Sequence, residues 1–292
     1  MRDKLLVLFI HGLAYVPLRV SRVFARLFVA LACLFSIREY KVTRRNLDMV
    51  YPDIDQKQKR KMVKESLIHS AQMALETPSI WFRSDTWREK KTLSITDEHL
   101  LLDAKKEGRG VIILAPHFGS WELIGLRAAS HMETTAMYAP PKISALEPVM
   151  SAGRFAGEMV PANVKGVLKV MKALKRGNMT YILPDQVPAE DAGIFVPFFG
   201  IPTYTMTLVQ KLVQKTNPVV LIAYAVRRKN GFDLGYMEPE PEIYNESDEI
   251  AVAALNKSIE NLIALAPMQY QWEYKRFKKQ PDGSNPYEKK SK

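Results

Sequence analysis

A histidine and a glutamate five residues apart are the first residues in this sequence that could do acid–base chemistry. His117 and Glu122 stand in the segment APHFGSWELIG, directly after the apolar run VIIL. A carboxylate bonded to one imidazole nitrogen leaves the other nitrogen able to take a proton from an alcohol near neutral pH. The pair therefore predicts general base catalysis on a hydroxyl group, with His117 as the base and Glu122 as its carboxylate partner.

The residues around this pair predict a strand, a turn and a helix. Pro116 favours an extended residue before it, Gly119 allows a sharp turn, and Ser120 suits a helix N-cap. On one continuous helix the five-residue spacing would turn the two side chains about 140° apart, whereas a strand–turn–helix junction can bring them together. In the plain structural alternative, His117 merely ends a strand and Glu122 merely begins a helix.

Other catalytic classes lack their sequence signatures. The chain has no G-x-S-x-G, no HExxH and no Walker A motif, and its one GRG precedes a predicted strand instead of opening a helix. The single cysteine, Cys33, excludes an internal disulfide and a thiolate-rich zinc site. The remaining histidines lack metal-ligand spacing, so no metal and no organic cofactor is predicted.

Predicted strands and helices alternate along most of the chain. The expected strands span 93–96, 111–115, 134–138, 180–183, 219–226 and 232–237, and the expected helices span 56–82, 97–106, 121–131, 164–176, 204–215 and 248–265. This alternation predicts an α/β fold with a mostly parallel central sheet flanked by helices. Such sheets place their sites at the carboxyl ends of the strands, where His117 lies.

The ends of the chain differ from this pattern. Residues 1–38 are expected to form an N-terminal membrane-associated helix, and residues 39–292 an α/β domain with a basic tail from Lys275. Within that domain, Pro78 is expected to kink or end the helix over 56–82.

The segment from residue 5 to residue 35 is the most apolar of the chain, and Arg19, Arg22 and Arg26 interrupt it. Each uncharged part is shorter than the roughly 18 apolar residues of a spanning helix. The three arginines share one helical face, opposite residues such as Phe24 and Leu31. This pattern predicts a helix lying in the membrane interface with its arginines on lipid phosphates. A buried amphipathic helix of the globular domain is the alternative.

The composition of the chain is that of a folded protein with a strong basic excess. Hydrophobic residues make up 47%, which excludes an intrinsically disordered chain. Lys and Arg total 42 against 31 Asp and Glu, giving a net charge of +11. This excess favours nucleic acid, anionic lipid or an acidic protein as a partner, and charge alone does not choose among them.

Six sequence blocks in a fixed order resemble the bacterial lipid A late acyltransferases, the lauroyl/myristoyl acyltransferase family. The blocks are the apolar N-terminal segment, RRNLDMVYPD, APHFGSWELIG, MYAPPKISALEPVMSAGRFAGEMVPA, ILPDQVPAEDAGIFVPFFGIPTYT and APMQYQWEYKRFK. PDQ followed by G-x-FVPFFG is far more specific than H-x4-E. The resemblance covers nearly the whole chain; Tyr274 departs from it by standing where a histidine is common.

The resemblance implies fatty acyl transfer from a thioester to a hydroxyl of a membrane glycolipid, a lipid A precursor in lipopolysaccharide biosynthesis. His117 would be the general base, and Glu122 would hold the imidazole tautomer. Arg154 occupies the family's arginine position and would stabilise the tetrahedral oxyanion. Asp185 and Gln186, after the strand YIL, would fix the site or bind the acceptor. The thioester supplies its own leaving group, so no cofactor is needed.

The resemblance also implies partners and a location. The donor would be an acyl carrier protein thioester or acyl-coenzyme A, and the catalytic domain would lie on the cytoplasmic face of the inner membrane. Nucleic acid is not an expected partner. Two alternatives stay open, namely acyl transfer to another glycolipid or phospholipid and a basic nucleic-acid-binding protein. The second leaves the apolar N-terminus and the ordered blocks unexplained.

Overall fold

A five-stranded sheet lies at the centre of the fold. The computed structural model describes residues 2–35, 37–138, 146–153 and 157–288. Its strands are β1 (Thr92–Thr96), β2 (Val111–Leu114), β3 (Thr135–Tyr138), β4 (Glu158–Pro161), β5 (Met179–Ile182), β6 (Gly193–Phe198), β7 (Ile201–Met206), β8 (Val219–Arg227) and β9 (Phe232–Met237). The central sheet has the order β1-β9-β8-β2-β5.

Most strand pairs of the central sheet are parallel. β2 pairs in parallel with both β5 and β8, β1 pairs in parallel with β9, and only β8 and β9 are antiparallel. A parallel bridge between Thr134 and Met179 attaches the small β3–β4 pair to the edge at β5. The prediction of an α/β fold with a mostly parallel sheet flanked by helices is therefore confirmed.

Helices cover both faces of the sheet. They are α1 (Arg2–Leu13), α2 (Leu18–Leu34), α3 (Arg38–Val50), α4 (Gln56–Phe82), α5 (Asp85–Lys91), α6 (His99–Lys106), α7 (Trp121–Ala129), α8 (Glu147–Gly153), α9 (Val164–Lys175), α10 (Leu208–Thr216) and α11 (Asp248–Leu265). The helix expected over 204–215 begins only at Leu208, because Tyr204 belongs to an unpredicted antiparallel hairpin of β6 and β7.

Strand β2 is buried on both faces, as a central parallel strand requires. Val111 and Ile113 pack into a cluster that contains Ile124 of α7. Ile112 and Leu114 point to the opposite side and pack into a cluster that contains Leu262 of α11. The sheet therefore has a separate apolar layer on each face, and the carboxyl end of β2 emerges between them.

The helix expected over 56–82 forms with these bounds as α4. Of the two effects expected of Pro78, the end of the helix does not occur, since α4 continues to Phe82 while the Ser79 hydroxyl donates to the Ala14 carbonyl at 3.0 Å. The basic tail from Lys275 begins inside the fold, because Arg276 and Phe277 are buried in the core. Both segments are held by tertiary contacts that a local pattern does not reveal.

The N-terminal segment forms two helices instead of one, because the chain breaks at Pro17 between α1 and α2. Within the described residues, no single helix is long and apolar enough to cross a membrane, whereas the bent pair 18–33 with 38–50 meets the length and composition criteria jointly. Membrane association and the division at residue 38 stay predictions.

The arginines of α2 do not share one environment. Arg19 and Arg26 are exposed, but Arg22 is buried and bonds Glu76 of α4. The prediction that Arg22 lies among the phosphates of the membrane interface is therefore wrong, because its guanidinium is bound to the buried Glu76. For Arg19 and Arg26 the membrane contact stays a prediction.

Glu76 is fully buried and forms ion pairs with two arginines, one at each carboxylate oxygen. Arg22 Nε contacts Oε1, and Arg227 Nε of β8 lies 2.6 Å from Oε2. Arg22 also donates to the carbonyl oxygens of Arg228 and Lys229, in the turn between β8 and β9. This group, here called the Glu76 triad (Arg22, Glu76 and Arg227), joins α2, α4 and the sheet.

Replacing Glu76 with glutamine should destabilise the fold strongly. Removing one member of a buried ion network leaves uncompensated charge and costs about 3–5 kcal/mol. The measurement is the free energy of urea unfolding, with Glu65→Gln as control, since Glu65 is exposed on the same helix and, among the described residues, pairs only with Lys61 at 3.9 Å. Equal stability of the two variants would contradict the prediction.

Candidate active site

His117 and Asp185 lie at the carboxyl ends of two neighbouring parallel strands. Leu114 of β2 and Ile182 of β5 are register partners. His117 follows Leu114 by three positions, and Asp185 follows Ile182 by three positions. Because the strands are parallel, equal steps beyond the register pair reach the same edge of the sheet. The fold thereby brings together two side chains that are 68 residues apart.

The Asp185 carboxylate makes two hydrogen bonds with His117. Oδ1 lies 2.9 Å from the imidazole Nδ1, and Oδ2 accepts the backbone N–H of His117 at 3.0 Å. A proton on Nδ1 satisfies Oδ1 and leaves the lone pair of Nε2 available as a base. Burial opposes ionisation of Asp185, but the charge of His117 and its hydrogen bonds hold the carboxyl pKa below its usual value.

The carboxylate that bonds the imidazole is thus Asp185 and not Glu122. Glu122 begins α7 as expected and is buried, but its Oε2 accepts the indole N–H of Trp81 at 3.1 Å. The prediction that Glu122 holds the imidazole tautomer is wrong, because the first turn of α7 directs it toward α4. The order of the strands in the sheet decides which carboxylate bonds the imidazole, and the H-x4-E spacing does not encode that order.

Gln186 lies over the other imidazole nitrogen. Its Nε2 is 3.3 Å from His117 Nε2 and 3.4 Å from Oε1 of Gln271. An amide donor on Nε2 occupies the position that a substrate hydroxyl would take. The next residue, Val187, donates its backbone N–H to the Tyr274 hydroxyl at 3.0 Å, so the residue that departs from the family pattern holds this loop.

The turn after His117 is clamped by the segment near residue 270. Gly119 adopts a φ of +56°, and a Cβ there would lie 2.1 Å from the Ala225 carbonyl oxygen, so only glycine fits. Its N–H donates to the Gln269 carbonyl at 2.9 Å, and the His117 carbonyl accepts from Gln271 at 3.0 Å. Ser120 takes the N-cap position of α7, although its hydroxyl makes no capping bond.

A small cavity adjoins the imidazole and contains two residues that sequence reasoning missed. Gln271 and Glu273 line it together with His69, Ser70, His117 and Trp121. Burial raises the pKa of Glu273, although Ser70 bonds its carboxylate at 2.8 Å. Their only signal in the sequence was the block APMQYQWEYKRFK, to which no role was assigned.

The predicted membrane-contact residues are not brought to this point. Arg154 lies outside the described residues. The exposed Arg19 and Arg26 and the buried Arg22 belong to α2 and not to the turn that carries His117. In the ranges that the structure describes, no group of three or more His, Cys, Asp or Glu side chains converges as a metal site.

Comparisons with known proteins agree with the sequence resemblance. The chain is 27% identical over 256 residues to the lipid A biosynthesis lauroyltransferase of Escherichia coli (strain K12), covering 87% of this chain and 83% of that protein. It is 28% identical over 259 residues to the lipid A biosynthesis palmitoleoyltransferase of the same strain, covering 88% and 84%. A Haemophilus influenzae lipid A biosynthesis acyltransferase is 28% identical over 253 residues, covering 85% and 80%.

A solved structure of 1-acyl-sn-glycerophosphate acyltransferase from Thermotoga maritima is a more distant match. It has 14% sequence identity and a TM-score of 0.37, covering 85% of this chain and 96% of that one. A TM-score this low adds nothing about fold or function.

The family model for bacterial lipid A biosynthesis acyltransferases matches residues 2–279, almost the whole chain. This match spans the strand–turn–helix junction of His117, the loop of Asp185 and Gln186, and the segment that clamps them. The predicted resemblance is confirmed: the chain is an acyltransferase and belongs to the bacterial lipid A biosynthesis acyltransferase family.

Proposed function

We propose that this enzyme transfers a fatty acyl chain from an acyl carrier protein thioester to a hydroxyl of a lipid A precursor. One observation carries the proposal: His117 has its Nδ1 fixed on a buried carboxylate at 2.9 Å, while Nε2 faces an amide that a substrate can displace. This is the arrangement that a general base for an alcohol requires.

His117, Asp185, the acceptor hydroxyl and the thioester account for every bond and proton of the reaction. The acceptor hydroxyl replaces the Gln186 amide and gives its proton to His117 Nε2 while its oxygen attacks the thioester carbonyl carbon. Asp185 stabilises the imidazolium that forms, because its carboxylate contacts Nδ1. The tetrahedral intermediate collapses, the C–S bond breaks, and the thiolate takes the proton from Nε2. The products are the ester and a free thiol.

Two further residues have proposed roles around this step. Arg154 remains our candidate for the cation that balances the developing oxyanion. Glu122 acts as a positioning residue: it bonds Trp81, and its neighbour Trp121 packs edge-on to the His117 ring at a centroid distance of 5.3 Å. A shift at the start of α7 would therefore move Trp121, against which the imidazole packs.

His117→Ala and Asp185→Asn should each lower kcat by ~10²–10⁴, the usual cost of losing general base catalysis. The double variant should be little worse than the worse single variant, because the two residues act as one unit. The measurement is acyl transfer to a purified lipid A precursor, beside circular dichroism to check folding.

A second histidine–carboxylate pair provides a matched control. His131 Nε2 lies 3.0 Å from Glu98 Oε1, at the far end of α7. His131→Ala and Glu98→Gln should keep most of the activity. If His117→Ala lost no more than His131→Ala, the assignment of the base would be wrong.

Mass spectrometry of lipid A tests the acceptor and the chain length together. Cells that lack this gene should produce lipid A with one acyl chain fewer, and the gene for His117→Ala should not restore it. Unchanged lipid A in the deletion strain would reject the proposed acceptor and favour another glycolipid or phospholipid. Purified enzyme given acyl carrier protein and coenzyme A thioesters in parallel identifies the donor, and we expect the carrier protein.

We also propose that α1 and α2 hold the enzyme on the cytoplasmic face of the inner membrane. Two sets of apolar side chains are more than half exposed on these helices, and they comprise Leu5, Leu8, Phe9, Val23, Phe24, Leu27, Phe28 and Leu31. Residues between them, such as Ala25 and Val29, are buried toward the protein. Water contacts an apolar patch of this kind only at a free-energy cost, which acyl chains would remove.

Replacing Phe24, Phe28 and Leu31 with serine should strongly reduce recovery of the protein with membranes, since burial of these side chains supplies most of the affinity. Vesicle flotation measures this. Val164→Ser with Leu168→Ser is the control, because those apolar side chains are also more than half exposed, on α9, which packs against β3, β5 and α10. Equal flotation of all three proteins would contradict a membrane role for this face.

A further inference from the structure

A large, strongly basic cavity lies between α2, α4 and the turn that joins β8 to β9. Its volume is about 910 Å³. The cations at its rim are Arg19, Arg26, Lys61, Lys64, Arg228 and Lys229. Within the described ranges, Glu65 is the one carboxylate that lines it. This cavity is here called the basic basin, and neither the proposed reaction nor the fold accounts for it.

Several of these cations lack a counter-charge. Lys61 reaches Glu65 at 3.9 Å, and Arg228 pairs with Asp233 at 2.6 Å. By contrast, Arg26, Lys64 and Lys229 have no carboxylate within 4.0 Å in the described part of the chain. Like charges gathered around a concave surface repel one another unless an anion lies among them.

The floor of the basic basin carries a second sign of a missing anion. Arg22 is 8% exposed, and its Nη2 has no hydrogen-bond partner among the described residues. The same guanidinium is fixed by Glu76 and by two backbone carbonyls, so it cannot turn away. The Glu76 triad holds two positive charges against one negative charge, and a buried excess charge of this kind is costly without a partner.

The basic basin adjoins the reaction cavity through one side chain. His69 lines both the basin and the small cavity beside His117. Burial, followed by the positive charges of Arg227, Arg22 and Arg26, lowers the pKa of His69 to about 4. The two cavities therefore share one wall residue, and its imidazole is neutral near neutral pH.

We propose that the basic basin binds a phosphate group of the lipid acceptor and thereby sets which hydroxyl reaches His117; this inference rests on the function proposed above. A phosphate offers three acceptor oxygens and up to two charges, which suit the rim cations, and the buried excess positive charge of Arg22 and Arg227 below them adds to the attraction. The occupant is a lipid because Val23 and Ile68 also line the basin, and Val23 belongs to the exposed apolar face of α2.

Two rim cations with no acidic partner provide the test. We would compare the wild type with Arg26→Gln/Lys64→Gln, and use Lys172→Gln/Lys175→Gln as the control, since it removes the same charge from exposed positions of α9. The probes are a purified lipid A precursor and the same lipid after phosphatase treatment, both in phosphatidylcholine vesicles. Binding is measured without donor, and kcat/KM is measured with donor.

The preference for the phosphorylated lipid should fall about 10-fold or more in the basin variant, in binding and in kcat/KM, because charge-assisted hydrogen bonds to the phosphate are lost. The control should keep the wild-type preference. Weaker membrane attachment would lower binding and kcat/KM equally for both lipids and leave the preference unchanged. An unchanged preference in the basin variant therefore overturns the proposal.

Other outcomes point to other ligands. A higher KM for acyl carrier protein, with the lipid preference intact, would make the basic basin a carrier-protein site and overturn the inference. Inorganic phosphate that displaces the lipid at equal concentration would show a free phosphate site and overturn it as well. Phosphate-dependent binding by a wild type that transfers no acyl group would sustain the basin while rejecting the proposed function.

Discussion

The charge balance at Glu76 is the constraint on which much of this structure depends. One buried carboxylate on α4 holds Arg22 from α2 and Arg227 from β8, so the two helices are tied to the sheet by charge as well as by apolar contact. Such an ion group is not in itself a source of large stability, since desolvation offsets much of the attraction. Its consequence is specificity, because this packing of α2 is the one that places both guanidinium groups on the single buried carboxylate.

The same group reaches the reaction site. Arg227 Nη2 contacts the Gly119 carbonyl at 3.5 Å, and the Arg227 backbone exchanges hydrogen bonds with the Gln269 side chain. Gln269 in turn accepts the Gly119 N–H through its own carbonyl. The turn that presents His117 is therefore braced against the sheet from behind, while Asp185 fixes the imidazole from the neighbouring strand. General base catalysis needs this rigidity, because the proton acceptor must hold its direction during attack.

The exposed surface divides into parts that suit a lipid substrate. Apolar side chains of α1 and α2 face outward, the cations of the basic basin lie on the flank of α2, and the cavity of His117 lies beyond His69. Part of the excess positive charge of the chain is thus concentrated at the basic basin.

Local pattern determined much of this protein in advance. Every strand predicted from the sequence forms, α11 spans 248–265 as expected, and His117 lies at the end of β2, because apolar periodicity and turn residues act over short distances. Tertiary structure decided the partners. Glu122 is near His117 in sequence, yet Asp185 bonds the imidazole because β5 pairs with β2. Arg22 shares a helical stripe with Arg19 and Arg26, yet Glu76 draws it inward. Helical spacing tells which side chains share a face, but strand order and helix packing decide what that face meets.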